Sequence, residues 1–312
     1  MGTPEFAAII LDRLIEMKEI EIVAVVTAPD KPAGRGRAIR TSEVKSTALS
    51  NDLKILQPSN LKDPAFIEQL ETLNADLFVV IAFRMLPEIV WAMPKEGTIN
   101  LHASLLPNYR GAAPINWAVI NGEVETGVTT FFIEKEIDTG AIIEQKRILI
   151  GPDETVGELY KRLITLGGEA MISTILKISS QKVISIPQAE MTHSKAFSPA
   201  PKIFKEDGKI SFKHAVSSVH NFCRGLDPYP GAWCTLSNAD NVSKTFKLFS
   251  TQKTSLPSDP DQMLTSNKEG ILIACEDYYL LVREIQPEGK RRMTSLEFIA
   301  GHQIETFTII QS

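Results

Sequence analysis

Several features that would commit this chain to a special way of life are missing. Its three cysteines, Cys223, Cys234 and Cys275, are too few and too scattered for a disulfide framework or a cysteine-rich metal site. They read as ordinary thiols in a reducing compartment. No uninterrupted apolar run approaches the roughly 18 residues of a bilayer span. The first residues, Met1-Gly2-Thr3-Pro4-Glu5-Phe6, lack the basic and then apolar layout of a signal peptide. Together these absences predict a cytoplasmic protein with no membrane partner. No Gly-x-Gly-x-x-Gly opens the first helix, which counts against a dinucleotide-dependent oxidoreductase. Excess positive charge is missing too. The formal net charge is −5, so any contact with nucleic acid must be local. The best local candidate is Lys31, Arg35, Arg37, Arg40 and Lys45, followed by Lys290-Arg291-Arg292.

What is present is ordinary globular usage, 43% hydrophobic and 23% charged over 312 residues. That is enough for two domains, or one large one, with cores that need no covalent staple. In the first two-thirds, short β-branched runs at 22–27, 76–83 and 98–102 alternate with helical patterns such as 7–17 and 64–73. This predicts an α/β, Rossmann-like, mostly parallel sheet with crossover helices. A hairpin-like pair at 128–133 and 141–143 flanks Asp138-Thr139-Gly140. Asp153 or Thr155 caps a long helix to about residue 179, with Tyr160, Leu163, Ile164, Met171, Ile175 and Leu176 on its apolar side. Ser198-Pro199-Ala200-Pro201 reads as an extended connector. Beyond it come a helix at 214–224 and short strands at 233–236, 245–250, 270–274 and 278–285, the pattern of a small β-rich barrel or sandwich.

The chemistry-bearing stretch is Asn100-Leu101-His102-Ala103-Ser104-Leu105-Leu106-Pro107. Residues two apart on a strand share a face, so Asn100 and His102 project together near a strand end. An amide suits a developing oxyanion. An imidazole suits proton traffic at neutral pH. A carboxylate such as Asp138 could favour its charged form. That set fits acyl-type transfer between nitrogens without a metal. Spacing alone also permits a satisfied strand histidine and a plain turn aspartate.

The ordered set of motifs resembles the folate-dependent formyltransferases. It comprises the stretch just quoted, Arg110-Gly111-Ala112-Ala113-Pro114, Glu125-Thr126-Gly127-Val128-Thr129 and Asp138-Thr139-Gly140. Gly2-Thr3-Pro4-Glu5-Phe6-Ala7 and Ala28-Pro29-Asp30-Lys31-Pro32-Ala33-Gly34-Arg35-Gly36 look most like members whose acceptor is the amino group of methionyl initiator tRNA. The resemblance implies a catalytic trio of Asn100, His102 and Asp138. It implies 10-formyltetrahydrofolate as donor, in a folate pocket lined by Ser104, Leu105, Leu106 and Pro107. Arg35 and Arg37, in the 32–40 loop, would meet the acceptor stem, with Lys202 and Lys205 facing the tRNA from the connector. The implied layout is a catalytic domain over 1–186, a linker over 187–203 and a smaller β-barrel, OB-like tRNA-binding domain over 204–312, in a monomer without metal. Arg224-Gly225-Leu226-Asp227-Pro228-Tyr229-Pro230-Gly231-Ala232-Trp233 resembles that domain's signature.

Two departures qualify the match. Relatives carry an apolar strand immediately before Gly-Thr-Pro, whereas this sequence begins at Met1, so a gap in the sheet is expected. Where many relatives have Ala-Tyr-Gly, this chain has Ala82-Phe83-Arg84, and Arg84 either meets the folate's acidic tail or points to solvent. An amino-sugar nucleotide formyltransferase, a formyltetrahydrofolate hydrolase and a truncated, non-catalytic tRNA-binding relative remain as alternatives.

Overall fold

The computed structural model of the chain describes residues 1–33, 38–191, 197–259 and 261–310. They form two compact units. One comprises Met1–Gly111, Gly127–Ile148 and Arg162–Pro199; the other comprises Ala112–Thr126, Leu149–Lys161 and Ala200–Ser312.

In the first unit the β-branched runs become strands because both faces are covered. Phe78–Ile81 runs parallel to Thr98–His102, with Ile81 opposite Leu101. Thr98–His102 then pairs antiparallel with Glu125–Phe132, which sets Thr129 opposite His102. Ile142–Leu149 completes this four-stranded sheet. The α/β expectation holds, and the sheet combines parallel and antiparallel pairing. Helix Pro64–Leu73 starts with proline at its first position, and Asp63 accepts a hydrogen bond from the Ala65 N–H. It buries Phe66, Ile67 and Leu70 against Phe78 and Val80.

The expected strand at 22–27 pairs only at Val25–Val26, parallel to Ile55–Leu56. On its other side the chain start joins it to the neighbouring strand. Gly2 donates to the Val26 carbonyl at 3.0 Å, and Ile81 N–H donates to the Met1 carbonyl at 2.9 Å. Two residues thus hold the seam at its carboxyl end. Below them a cavity of about 740 Å³ lies between Ile22–Ala24 and Phe78, walled also by Leu70 and Ile178. The Met1 amine donates to the Val79 carbonyl at 2.6 Å inside the seam, and burial pushes its pKa down to about 5.

Helix Val156–Ser179 opens on a reciprocal cap. Thr155 N–H donates to Glu158 Oε2 at 2.8 Å, and Glu158 N–H donates to Thr155 Oγ1 at 3.3 Å. Thr155, not Asp153, is therefore the cap. Leu159, Leu163, Ile164, Met171, Ile175 and Ile178 are buried, whereas Leu176 is 40% exposed. At 100° per residue the stripe passes from Ile175 to Ile178 and leaves Leu176 outside it.

The second unit carries an antiparallel sheet in the order Leu264–Asn267, Gly270–Ala274, Tyr278–Pro287, Ser243–Pro257, Ala232–Ser237, Thr308–Ile309. Ser243–Pro257 is far longer than the expected run at 245–250 because it pairs along most of Tyr278–Pro287. Helix Val216–Gly225 buries Val216, Val219 and Cys223 in the core that holds Leu248, Leu280 and Val282. All three cysteines lie in this unit and are buried. Burial pushes the Cys234 and Cys275 thiols up to about 12.

Candidate active site

Parallel strands present ligand sites beyond their carboxyl ends. The register Ile81 opposite Leu101 sends residues 82–84 and 103–107 out of the sheet side by side. Gly2 bridges Ile81 on the other flank. A Cβ on Gly2 would stand 2.5 Å from Ala7 Cβ and 2.9 Å from the Ile81 carbonyl oxygen, so only glycine fits there.

His102 ends the Thr98–His102 strand with its side chain 7% exposed. Nε2 lies 2.8 Å from the Tyr109 carbonyl oxygen. A carbonyl only accepts, so Nε2 carries the hydrogen, and in the neutral ring Nδ1 is the bare nitrogen. Nδ1 stands 3.8 Å from Asp138 Oδ2. That is too far for a hydrogen bond. Asn100 lies on the same face of the strand and is half-buried. Among the described residues no hydrogen bond engages its side chain.

Asp138 sits in the left-handed region, with φ +56°, a conformation that neighbours must hold. Gly111 N–H donates to its Oδ2 at 3.0 Å. Gln188 Nε2 donates to the Asp138 and Gly140 carbonyls, each at 2.9 Å. At Gly140 a Cβ would fall 1.7 Å from the Phe132 carbonyl oxygen, so the turn needs glycine there. The structure thus brings Asp138 to His102 across the sequence gap and leaves Asn100 beside them on the strand.

The 104–107 turn is braced from the neighbouring strands. Thr129 Oγ1 donates to the Ser104 carbonyl at 2.7 Å, and it accepts from Leu106 N–H at 3.1 Å and Gln145 Nε2 at 3.0 Å. One donor and two lone pairs are all a hydroxyl has. Gln145 Nε2 also donates to the Leu106 carbonyl at 2.7 Å, and Ser104 Oγ donates to the Asn108 carbonyl at 2.7 Å. The side chains of Ser104, Leu106 and Pro107 are buried, with Leu106 packed on Phe131 and Ile142. Leu105 is half-exposed. Thr129, Gln145 and Gln188 escaped the sequence reading. The signals for Thr129 are its place in the 125–129 motif and a polar residue inside an apolar strand.

Arg35 and Arg37 lie outside the described residues. Lys202 and Lys205 are exposed in the second unit. The Lys202 ammonium sits 4.9 Å from the Phe204 ring centroid, and the Lys205 carbonyl accepts from the Trp233 indole N–H at 2.8 Å. Arg84 is exposed yet engaged: its guanidinium donates to the Pro58 and Ser59 carbonyls and lies over the Phe83 ring. Among the described residues, no group of His, Cys, Asp and Glu could hold a metal ion, and no helix is long and apolar enough to cross a membrane.

Residues 1–175 match the family described as formyl transferase, and residues 202–303 match the formyl transferase C-terminal domain. A methionyl-tRNA formyltransferase of Bacteroides fragilis is 48% identical, over 98% of this chain and 95% of its own. One from Flavobacterium psychrophilum is 46% identical, over 99% and 97%. This chain belongs to the methionyl-tRNA formyltransferase family. Solved structures share the fold at lower identity. WlaRD, a sugar 3N-formyl transferase determined in the presence of dTDP and 5-N-formyl-THF, gives a TM-score of 0.66 at 20% identity, over 93% of this chain and 97% of that one. HypX from Aquifex aeolicus in complex with tetrahydrofolic acid gives 0.57 at 18%, over 80% and 43%. For this formyltransferase chain the oxidoreductase alternative falls away.

Proposed function

We propose that this chain moves the formyl group of 10-formyltetrahydrofolate onto the amino group of methionyl initiator tRNA, with Asn100, His102 and Asp138 as its catalytic residues and no metal ion. The observation that carries this reading is His102: one ring nitrogen is committed to a backbone carbonyl, and the other is bare beside a carboxylate. His102 Nδ1 takes the proton from the amine as its nitrogen bonds to the formyl carbon, and returns it to the folate nitrogen as the old C–N bond breaks. Asp138 stabilises the imidazolium in between. Asn100 donates its amide N–H to the oxyanion that develops on the formyl oxygen, a role whose loss typically costs about 10²–10³-fold in rate. Leu105 and the backbone of 104–107 hold the folate against Ala82 and Phe83.

In the same reading residues 1–186 are the catalytic domain, 187–203 the linker and 204–312 an OB-like tRNA-binding domain. Arg35, Arg37, Lys202 and Lys205 contact the tRNA backbone, positioning rather than reading sequence. The enzyme works as a monomer in the cytoplasm, where translation starts. The deciding experiment is a formylation assay with charged initiator tRNA and 10-formyltetrahydrofolate. His102→Ala is expected to lose turnover while still binding tRNA; near-normal turnover would remove His102 from the mechanism. Free formate released without any acceptor would favour the hydrolase alternative.

A further inference from the structure

Gln188 opens the short 3₁₀ turn Gln188–Glu190 and is only 4% exposed. Its Oε1 accepts from Arg110 Nε at 3.1 Å and from Arg110 Nη2 at 2.6 Å. Its Nε2 donates to the carbonyls of Asp138 and Gly140. A flipped amide would set N–H against guanidinium N–H and oxygen against two carbonyl oxygens, so this orientation is fixed. The two segments it joins stand on either side of the His102 ring. Arg110 follows Tyr109, whose carbonyl holds Nε2, and precedes Gly111, whose N–H holds Asp138 Oδ2. Asp138 faces Nδ1.

We propose that Gln188 is a positioning residue for formyl transfer. It locks the 109–111 segment to the 138–140 turn, so that the carboxylate of Asp138, on a left-handed backbone, stands at a set distance from the bare nitrogen of His102. The inference rests on the His102–Asp138 reading above. Among amino acids of this size only glutamine supplies one acceptor and two donors here. Glutamate keeps an acceptor for Arg110 but sets a carboxylate oxygen against the Asp138 and Gly140 carbonyls.

The test compares wild type, Gln188→Ala, Gln188→Glu, Asp138→Asn and Gln188→Ala in the Asp138→Asn background. Misplacing a reacting group by about 1 Å typically costs about 10²-fold. Both Gln188 variants are therefore expected to lose about 10- to 100-fold in kcat, with KM for tRNA and folate nearly unchanged. Their pH profiles of kcat are expected to shift on the acid limb in the same direction as in Asp138→Asn. In the double variant the losses should not multiply, because Gln188 acts through Asp138. Normal kcat in the Gln188 variants, an unmoved acid limb, or multiplying losses would each overturn the proposal. So would failure of both Gln188 variants to fold, which would make the residue structural. If His102→Ala and Asp138→Asn stay active, the underlying site reading has failed instead, whatever the Gln188 variants do.

Discussion

Thr129→Val tests whether the turn after His102 is held by a single hydroxyl. Thr129 is fully buried, and valine matches its shape, so no cavity forms. Three hydrogen bonds vanish. Gln145 loses little, because its amide already donates to the Leu106 carbonyl. The Ser104 carbonyl and the Leu106 N–H are left without partners. Each such group costs about 1–3 kcal/mol, so the local loss is about 2–6 kcal/mol. Amide exchange reads this at one residue. The Leu106 N–H of the variant is expected to exchange at least about 30-fold faster, since each 1.36 kcal/mol is a factor of ten. Peptide-level exchange in Phe78–Ile81 should stay as in wild type. Steady-state kinetics should show a raised KM for the formyl donor and a smaller change for tRNA. Unchanged Leu106 exchange together with unchanged donor KM would refute the reasoning.

Other outcomes follow from the sequence and the structure. Arg35→Ala and Arg37→Ala are expected to raise KM for tRNA far more than KM for the folate, and equal effects on both substrates would mean that the basic loop is misassigned. His220 is fully buried, and its imidazole is pushed below the ordinary value chiefly by burial, then by Arg224, while Asp153, 3.1 Å away, opposes. The unfolded chain then binds the proton more readily than the folded one. The second unit should therefore hold full stability above about pH 6.5 and lose it as pH falls further. Urea midpoints that decline on acidification in wild type, with a shallower slope in His220→Gln, check this; a midpoint that rises on acidification contradicts it. With all three thiols buried and held in the unreactive form, Ellman's reagent should label the protein only after denaturant is added. Fast labelling of native protein would show that the cysteine core opens.

Local patterns were readable and distant pairings were not. The strand carrying Asn100 and His102 appears at Thr98–His102, and the helix at Pro64–Leu73, because period and capping residues are written into adjacent positions. Asp138 stood out for its glycine-containing turn, although its arrival beside His102 depends on the strands that flank that turn. Thr129 lies in the 125–129 motif with nothing local to mark its role, and Gln145 and Gln188 had no local mark. They matter only through partners 25, 39 and 50 residues away, which a ladder register creates and a linear pattern does not. The short pairing at Val25–Val26 is a similar lesson. The run at 22–27 has the right residues for a strand, but strand length depends on neighbours as much as on propensity.

In the mechanism proposed above, the Tyr109 carbonyl, by occupying Nε2, leaves His102 to act as a base with a single working face. Incoming and departing nitrogens must then reach the same atom in turn, and the ring has no need to swing between them. Donor and acceptor are thereby obliged to converge on one spot of the protein. An amine that cannot reach it leaves the bound formyl group with no productive exit.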